Sequence, residues 1–153
     1  MGIFKSHTIY SIVFFLLLAN VSWCQNIAPV LTATGNQAYC PKSQINIVTD
    51  FNITDLDDTD IDALYIQIST GYDVGNDLLI LSGSYPSIFT PCPWSPLEGK
   101  LTLKGIGGLK VSYVDLMSAV KDILFQSTSN NPSDKTFSIT IGDANYLPST
   151  GHY

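Results

Sequence analysis

The chain has 153 residues, of which 13 are acidic and 7 are basic, so its formal net charge at pH 7 is −6. The basic residues are all lysines, and the acidic ones are twelve aspartates and Glu98. Such a negative surface repels phosphate backbones and anionic membranes, so the composition argues against nucleic-acid binding. The length suits a single domain with a core of its own.

Residues 1–24 have the pattern of a secretory signal peptide. Lys5 precedes a short apolar core at 12–19, and small residues close the segment before a predicted cleavage after Cys24. The apolar run is too short to span a bilayer, which takes about 20 residues. Acylation of Cys24, as in a lipoprotein, is the alternative, and the bulky tryptophan before it disfavours that interpretation. We therefore predict a secreted or cell-surface protein that is not membrane-spanning.

The chain after the signal peptide alternates between short apolar runs and turns. Residues 25–44 form a lead-in segment, in which 28–35 is a predicted edge strand because Pro29 bars a central position. Alternation of apolar residues predicts further strands at 45–53, 63–69, 100–104, 125–127 and 137–141, and the short, fully apolar run at 78–81 predicts another.

Two segments interrupt this strand pattern. Residues 84–96 carry four prolines and are predicted to form an irregular loop. At 109–122 the apolar residues recur every three or four positions, which predicts one amphipathic helix. Short strands separated by turns rich in proline and glycine predict a mostly β chain, namely a β-sandwich of about seven strands with one short helix.

The most acidic stretch lies between two predicted strands. Asp50 and the five aspartates of residues 55–62 place six carboxylates within thirteen residues, with no lysine among them. Such carboxylates repel one another unless water or a metal ion neutralises them, and calcium prefers oxygen ligands on loops. An EF-hand starting at Asp55 would need glycine and glutamate where Asp60 and Ile66 stand, so that motif is excluded. A calcium site and a solvated acidic turn both remain open.

Two cysteines, Cys40 and Cys92, remain once the signal peptide is removed. In an exported protein two cysteines most simply form one disulfide, which here would close a loop of about 50 residues and contribute about 3–4 kcal/mol. Two buried free thiols are the alternative. The paired spacings of a zinc site are absent from the sequence.

Candidate catalytic residues are scarce after residue 24. His152 and Glu98 are the only histidine and glutamate there, and no Cys–His or Ser–His–Asp set can be built without His152. We therefore predict that the protein is not an enzyme. Aromatic residues around the proline-rich loop, among them Tyr85 and Trp94, could stack on a carbohydrate, although core packing is their commoner use.

The order of several motifs resembles a known family. Aspartates open the pattern, strands with Gly and Asn turns follow, and a helix carries Tyr113 and Leu116; the motifs occupy 54–57, 68–72, 75–79, 99–105, 125–133 and 137–143. This order resembles the cadherin-like repeat of large bacterial surface adhesins, and it is similar to repeats of the animal chondroitin-sulfate proteoglycan ectodomain. The resemblance covers residues 45–143.

The resemblance implies a cadherin-like or Ig-like Greek-key β-sandwich at 45–143 that associates with calcium. It further implies a non-enzymatic extracellular adhesion or spacer module, with an extracellular protein or glycan as its partner. Its acidic positions match Asp55, Asp57, Asp77 and Asp143, which become the expected calcium ligands. A carbohydrate-binding module, using the aromatic residues named above, is the alternative function.

The chain also departs from the usual repeat and extends beyond it. Cys40, Cys92 and the proline-rich loop are not part of the repeat. The chain resembles secreted proteins of the Bacteroidetes, in which such a module often precedes a C-type lectin-like domain. Residues 144–153 resemble the junction to that domain, so we expect a linker there.

Overall fold

A computed structural model describes residues 27–142, so the predicted signal peptide, Asp143 and the predicted linker lie outside the described residues. The described chain contains eleven β-strands, one α-helix and a short 3-10 turn. These elements are β1 (Val30–Thr34), β2 (Gln44–Asn46), β3 (Asp50–Thr54), β4 (Asp60–Ile61), β5 (Ala63–Thr70), β6 (Asp77–Leu81), β7 (Trp94–Ser95), β8 (Lys100–Lys104), the 3-10 turn (Ile106–Gly108), β9 (Val111–Ser112), α1 (Tyr113–Lys121), β10 (Ile123–Ser127) and β11 (Thr136–Gly142).

The strands pair in four antiparallel sheets. The larger two have the orders β2-β10-β6 and β11-β5-β8-β7, and two smaller sheets pair β1 with β3 and β4 with β9. The two larger sheets share one core, because buried side chains from both belong to a single cluster. The cluster includes Leu64 and Ile66 of β5, Leu103 of β8, Leu79 of β6 and Phe125 of β10. This arrangement confirms the predicted fold class, a mostly β sandwich with one helix.

The helix is shorter than the predicted span of 109–122. It begins at Tyr113, where the Ser112 side chain caps it by accepting a hydrogen bond from the backbone N–H of Asp115. Leu109, which the helical spacing includes, is exposed. Val111 is buried, but it belongs to β9, where it pairs with Ile61 of β4. The predicted span of the helix therefore included one exposed residue and one strand that lie before its first turn.

The predicted strand at 45–53 is divided into β2 and β3. Ile47 and Val48 between them are buried, and the chain there passes from the β2-β10-β6 sheet to the pairing with β1. The N–H of Thr49 donates to the carbonyl of Thr34 at 2.7 Å. Among the described residues β1 pairs only with β3, so the predicted edge strand is confirmed.

The described chain enters and leaves the sandwich at the same end. Val30 at the start of β1 pairs with Thr54, and Gly142 at the end of β11 pairs with Ala63. The loop at 55–62 joins these two places, so we call this the acidic end. The turn at 71–76, which follows β5, lies at the opposite end of the sandwich, the far end.

The packing of α1 can be tested by comparing a buried residue of the helix, Leu116, with an exposed one, Val114. Leu116 is fully buried in the shared core, whereas Val114 is 69% exposed. We expect Leu116→Ala to lower the free energy of unfolding by about 2–5 kcal/mol because it removes buried methyl groups and leaves a cavity. Val114→Ala should change it by less than about 0.5 kcal/mol. Urea unfolding of both variants provides the measurement, and equal losses would contradict the packing of α1.

Candidate functional site

Three aspartates meet in the loop between β3 and β4. Asp55, Asp57 and Asp58 each offer a carboxylate oxygen, and these oxygens lie within 4.8 Å of one another. Asp57 is exposed, whereas Asp55 and Asp58 are half-buried. Three converging carboxylates on a loop are a partial ligand set for calcium, which takes six to eight oxygens.

Hydrogen bonds hold Asp55 in its ionised form. The Tyr113 hydroxyl donates to its Oδ2 at 2.9 Å, and the backbone N–H of Asp57 donates to Oδ1 at 3.2 Å. Burial raises the pKa of Asp55, but the hydrogen bonds from Tyr113 and from the N–H groups of Asp57 and Asp58 outweigh it, so the pKa lies below its ordinary value. Burial, together with the Asp55 carboxylate, raises the pKa of Tyr113. The N-terminus of α1 is thereby tied to the loop at 55–62, which we call the acidic loop.

Two further acidic side chains of the loop, Asp57 and Asp60, also have donors nearby. The backbone N–H of Ile27 donates to both carboxylate oxygens of Asp57, at 3.1 and 3.3 Å. Lys110 Nζ lies 3.4 Å from Asp60 Oδ1, and this contact raises the pKa of Lys110. Local donors therefore relieve part of the mutual repulsion, and the loop also anchors the incoming chain.

The structure does not bring Asp77 to this cluster. Asp77 starts β6 at the far end, and β5 alone, with eight residues, extends about 26 Å between the two places. Its carboxylate is instead buried against Lys135, with Nζ 2.7 Å from Oδ2. Asp77, one of the expected calcium ligands, therefore lies apart from Asp55 and Asp57 and is held by a lysine instead. Asp143 lies outside the described residues.

Sequence reasoning did not single out Asp58, Tyr113 or Lys135. Asp58 stands among equivalent aspartates, and no spacing rule separates it from its neighbours. Tyr113 was recognised only as an apolar helix residue, although a tyrosine in the first turn of a helix can carry its hydroxyl to an adjacent loop. Lys135 is 58 positions from its partner in sequence, so no local pattern could have found the pair.

The predicted disulfide is absent, because Cys40 and Cys92 are both free thiols. Cys40 precedes β2 at one edge of the β2-β10-β6 sheet, and Cys92 lies beside β6 at the other edge. Strands two places apart are about 10 Å from each other, whereas a disulfide needs Cα atoms within about 7 Å. The sheet therefore holds the two cysteines apart.

Both aromatic residues of the proposed carbohydrate contact have partners within the protein. The Tyr85 hydroxyl donates to Asp122 Oδ2 at 2.6 Å, and burial together with Asp122 raises the pKa of Tyr85 to about 12. Trp94 is half-buried and packs edge-on against Tyr72, with ring centroids 6.2 Å apart. Trp94 also lines a hollow of about 320 Å³ beside β6, together with Cys92.

Comparison of the chain with family models, curated proteins and solved structures finds no match. The cadherin-like resemblance therefore stays an expectation drawn from the motifs. Within residues 27–142, no helix has the length and apolarity to cross a bilayer.

The hydrogen bond from Tyr113 to Asp55 makes stability depend on pH. Because the folded pKa of Asp55 lies below its ordinary value of 3.8, ionised Asp55 stabilises the fold above that pH, and the contribution disappears as the pH falls through the folded pKa. We expect Tyr113→Phe to be less stable than the parent by a constant amount above about pH 5, with the gap narrowing below about pH 4. Unfolding by urea over this pH range measures the gap. In an Asp55→Asn background the same substitution should cost less, and a gap that does not change with pH would contradict the assignment.

The two thiols should differ in reactivity. Cys40 is exposed, whereas burial raises the pKa of Cys92 to about 11, and the thiolate is the species that reacts. We expect iodoacetamide without reductant to label Cys40 quickly and Cys92 slowly, as assigned by peptide mass. Cys40→Ser should leave the slow labelling of Cys92 unchanged. If neither cysteine is labelled until a reductant is added, the two cysteines form a disulfide and the assignment of free thiols is wrong.

Proposed function

We propose that the chain is a non-enzymatic extracellular adhesion module of the cadherin-like type, which binds calcium at Asp55, Asp57 and Asp58. The observation that carries this proposal is the approach of three carboxylate oxygens to within 4.8 Å on one loop. The calcium ion offsets the repulsion among these groups and supplies the charge that local donors only partly provide.

The position of the cluster gives the ion a structural role. Asp55 is bonded to Tyr113 at the start of α1, and Asp57 is bonded to Ile27 where the chain enters. An ion held by both aspartates fixes the loop, the helix and the incoming segment in one arrangement. Calcium then stabilises the acidic end without taking part in chemistry.

The chain path favours adhesion over a spacer role. A spacer in a linear array receives the chain at one end and passes it on at the other. Here Val30 and Gly142 both lie at the acidic end, opposite Thr54 and Ala63 respectively. A module built this way projects sideways from its attachment, which leaves the turns of the far end accessible to a partner.

Carbohydrate binding is the second candidate, and one observation favours it. Trp94 and apolar residues of β6 line an open hollow of about 320 Å³. A tryptophan ring on such a surface can stack against a sugar. Its contact with Tyr72 and the bond between Tyr85 and Asp122 give both aromatic residues a packing role instead. We therefore rank it below the calcium-dependent adhesion module.

Calcium should raise the melting temperature. At 100 times its dissociation constant, a ligand that binds only the folded state adds about 2.7 kcal/mol, which corresponds to a shift on the order of 10 °C in a domain of this size. Asp55→Asn combined with Asp57→Asn should remove most of the shift. Differential scanning fluorimetry in calcium and in chelator measures it.

Asp50→Asn serves as the matched control, because it removes the same charge at the other end of β3 and should keep the full shift. Equal melting temperatures in calcium and in chelator would leave the loop as a solvated acidic turn. Binding on a glycan array that Trp94→Ala abolishes would favour the second candidate.

A further inference from the structure

A buried lysine and a buried aspartate face each other at the far end of the sandwich. Lys135 immediately precedes β11, and Asp77 is the first residue of β6. Lys135 Nζ lies 2.7 Å from Asp77 Oδ2, and the two side chains are only 6% and 0% exposed. The Phe125 ring also lies beside the ammonium group, with its centroid 6.0 Å away. The pair is therefore held together and largely removed from water.

The two carboxylate oxygens of Asp77 have different surroundings. Oδ2 contacts Lys135 and also accepts a hydrogen bond from the backbone N–H of Asp73 at 2.8 Å. Oδ1 is buried and has no hydrogen-bond partner among residues 27–142. A buried ion pair with an unpaired oxygen is a costly arrangement, because desolvation of the charges is incompletely offset.

We propose that Lys135 and Asp77 condense to form an intramolecular amide bond between Nζ and Cγ. The ammonium group first gives one proton to the carboxylate, leaving an amine and a carboxylic acid. Nζ then attacks Cγ, Oδ1 receives both the proton of the carboxylic acid and a second proton from Nζ, the Cγ–Oδ1 bond breaks, and Oδ1 leaves as water. One ammonium and one carboxylate thus give one amide and one water. The charges cancel, and the step needs no oxidant or other reactant.

The surroundings fit the amide better than they fit the ion pair. Oδ2 stays as the amide oxygen and keeps the hydrogen bond from the N–H of Asp73. The remaining hydrogen on Nζ points to the carbonyl oxygen of Gly71, to which Lys135 already donates. The oxygen that leaves is Oδ1, the atom without a partner. Two buried charges and one unpaired polar atom are replaced by a neutral group with both of its polar atoms bonded.

The fold also holds the two reacting groups close together, a proximity that separate molecules in water lack. Asp77 is fixed by the turn at 73–77, in which its own N–H donates to the carbonyl of Asp73 at 2.9 Å. Lys135 is fixed by its bond to Gly71. Well-oriented intramolecular groups react with effective concentrations of about 10⁵–10⁸ M. The pair lies far from the acidic loop, so this inference does not depend on the calcium proposal.

Tryptic mapping of the denatured full chain tests the bond. Trypsin cleaves after lysine, so Asp77 falls in peptide 43–100, and an unmodified Lys135 separates peptide 122–135 from the residues that follow. We expect peptide 43–100 to be joined to a peptide that begins at 122 and continues uncleaved past Lys135, one water lighter than the two parts. Fragmentation should place the link on Asp77 and Lys135.

Two controls and two contrary outcomes complete the test. Lys135→Arg keeps the positive charge and should yield only unjoined peptides, whereas Lys42→Arg, at an exposed turn, should leave the joined species unchanged. Cleavage after Lys135 with peptide 43–100 at its full mass would show an ion pair only and overturn the proposal. Cleavage after Lys135 with that peptide one water lighter would indicate a cyclic imide at Asp77, which overturns it equally.

Discussion

The rest of the structure depends on the packing of the Phe125 ring between the two larger sheets. This ring on β10 packs edge-on against Phe137 of β11, with centroids 5.6 Å apart, and against Tyr39 of the lead-in segment at 5.0 Å. Tyr39 in turn bonds to Ser127, since its hydroxyl accepts from the N–H of that residue at 2.8 Å. One side chain therefore joins both sheets and the segment that precedes them. The buried lysine beside the same ring owes its dry surroundings to this packing.

Charge is distributed unevenly between the two ends of the sandwich. At the acidic end the carboxylates are at least partly exposed. Asp55 accepts hydrogen bonds from Tyr113 and Asp57, Asp57 accepts from Ile27, and Asp60 lies beside Lys110. Water screens their repulsion there, so the fold tolerates an incomplete set of partners. At the far end Asp77 is buried, and its interaction with Lys135 is not screened. Aspartates at the acidic end thus form a partly exposed cluster, whereas Asp77 at the far end makes a buried structural contact.

The sequence predicted those elements that local patterns determine. Alternation of apolar residues identified β5, β8 and β11, and in β8 the pattern coincides with burial, because Leu101 and Leu103 are buried and their neighbours are half-buried. The helical pattern failed before Tyr113, because Leu109 is exposed and Val111, inside the predicted span, belongs to a strand defined by its partner Ile61. Sequence reasoning also failed for Cys40 and Cys92, since residue type suggests a disulfide but sheet order decides whether the two can meet. Pairs that only the fold brings together lie beyond any local pattern.

The shared position of the chain's entry and exit has a mechanical consequence. Tension applied through Val30 and Gly142 would act on one end of the sandwich instead of along its length. It would pull β1 from β3 and β11 from β5 by breaking hydrogen bonds one after another, as in unzipping. Strands pulled from opposite ends resist in shear, where many bonds must break together. A protein that contains this domain and is placed under tension would therefore yield at low force and lengthen as the strands separate.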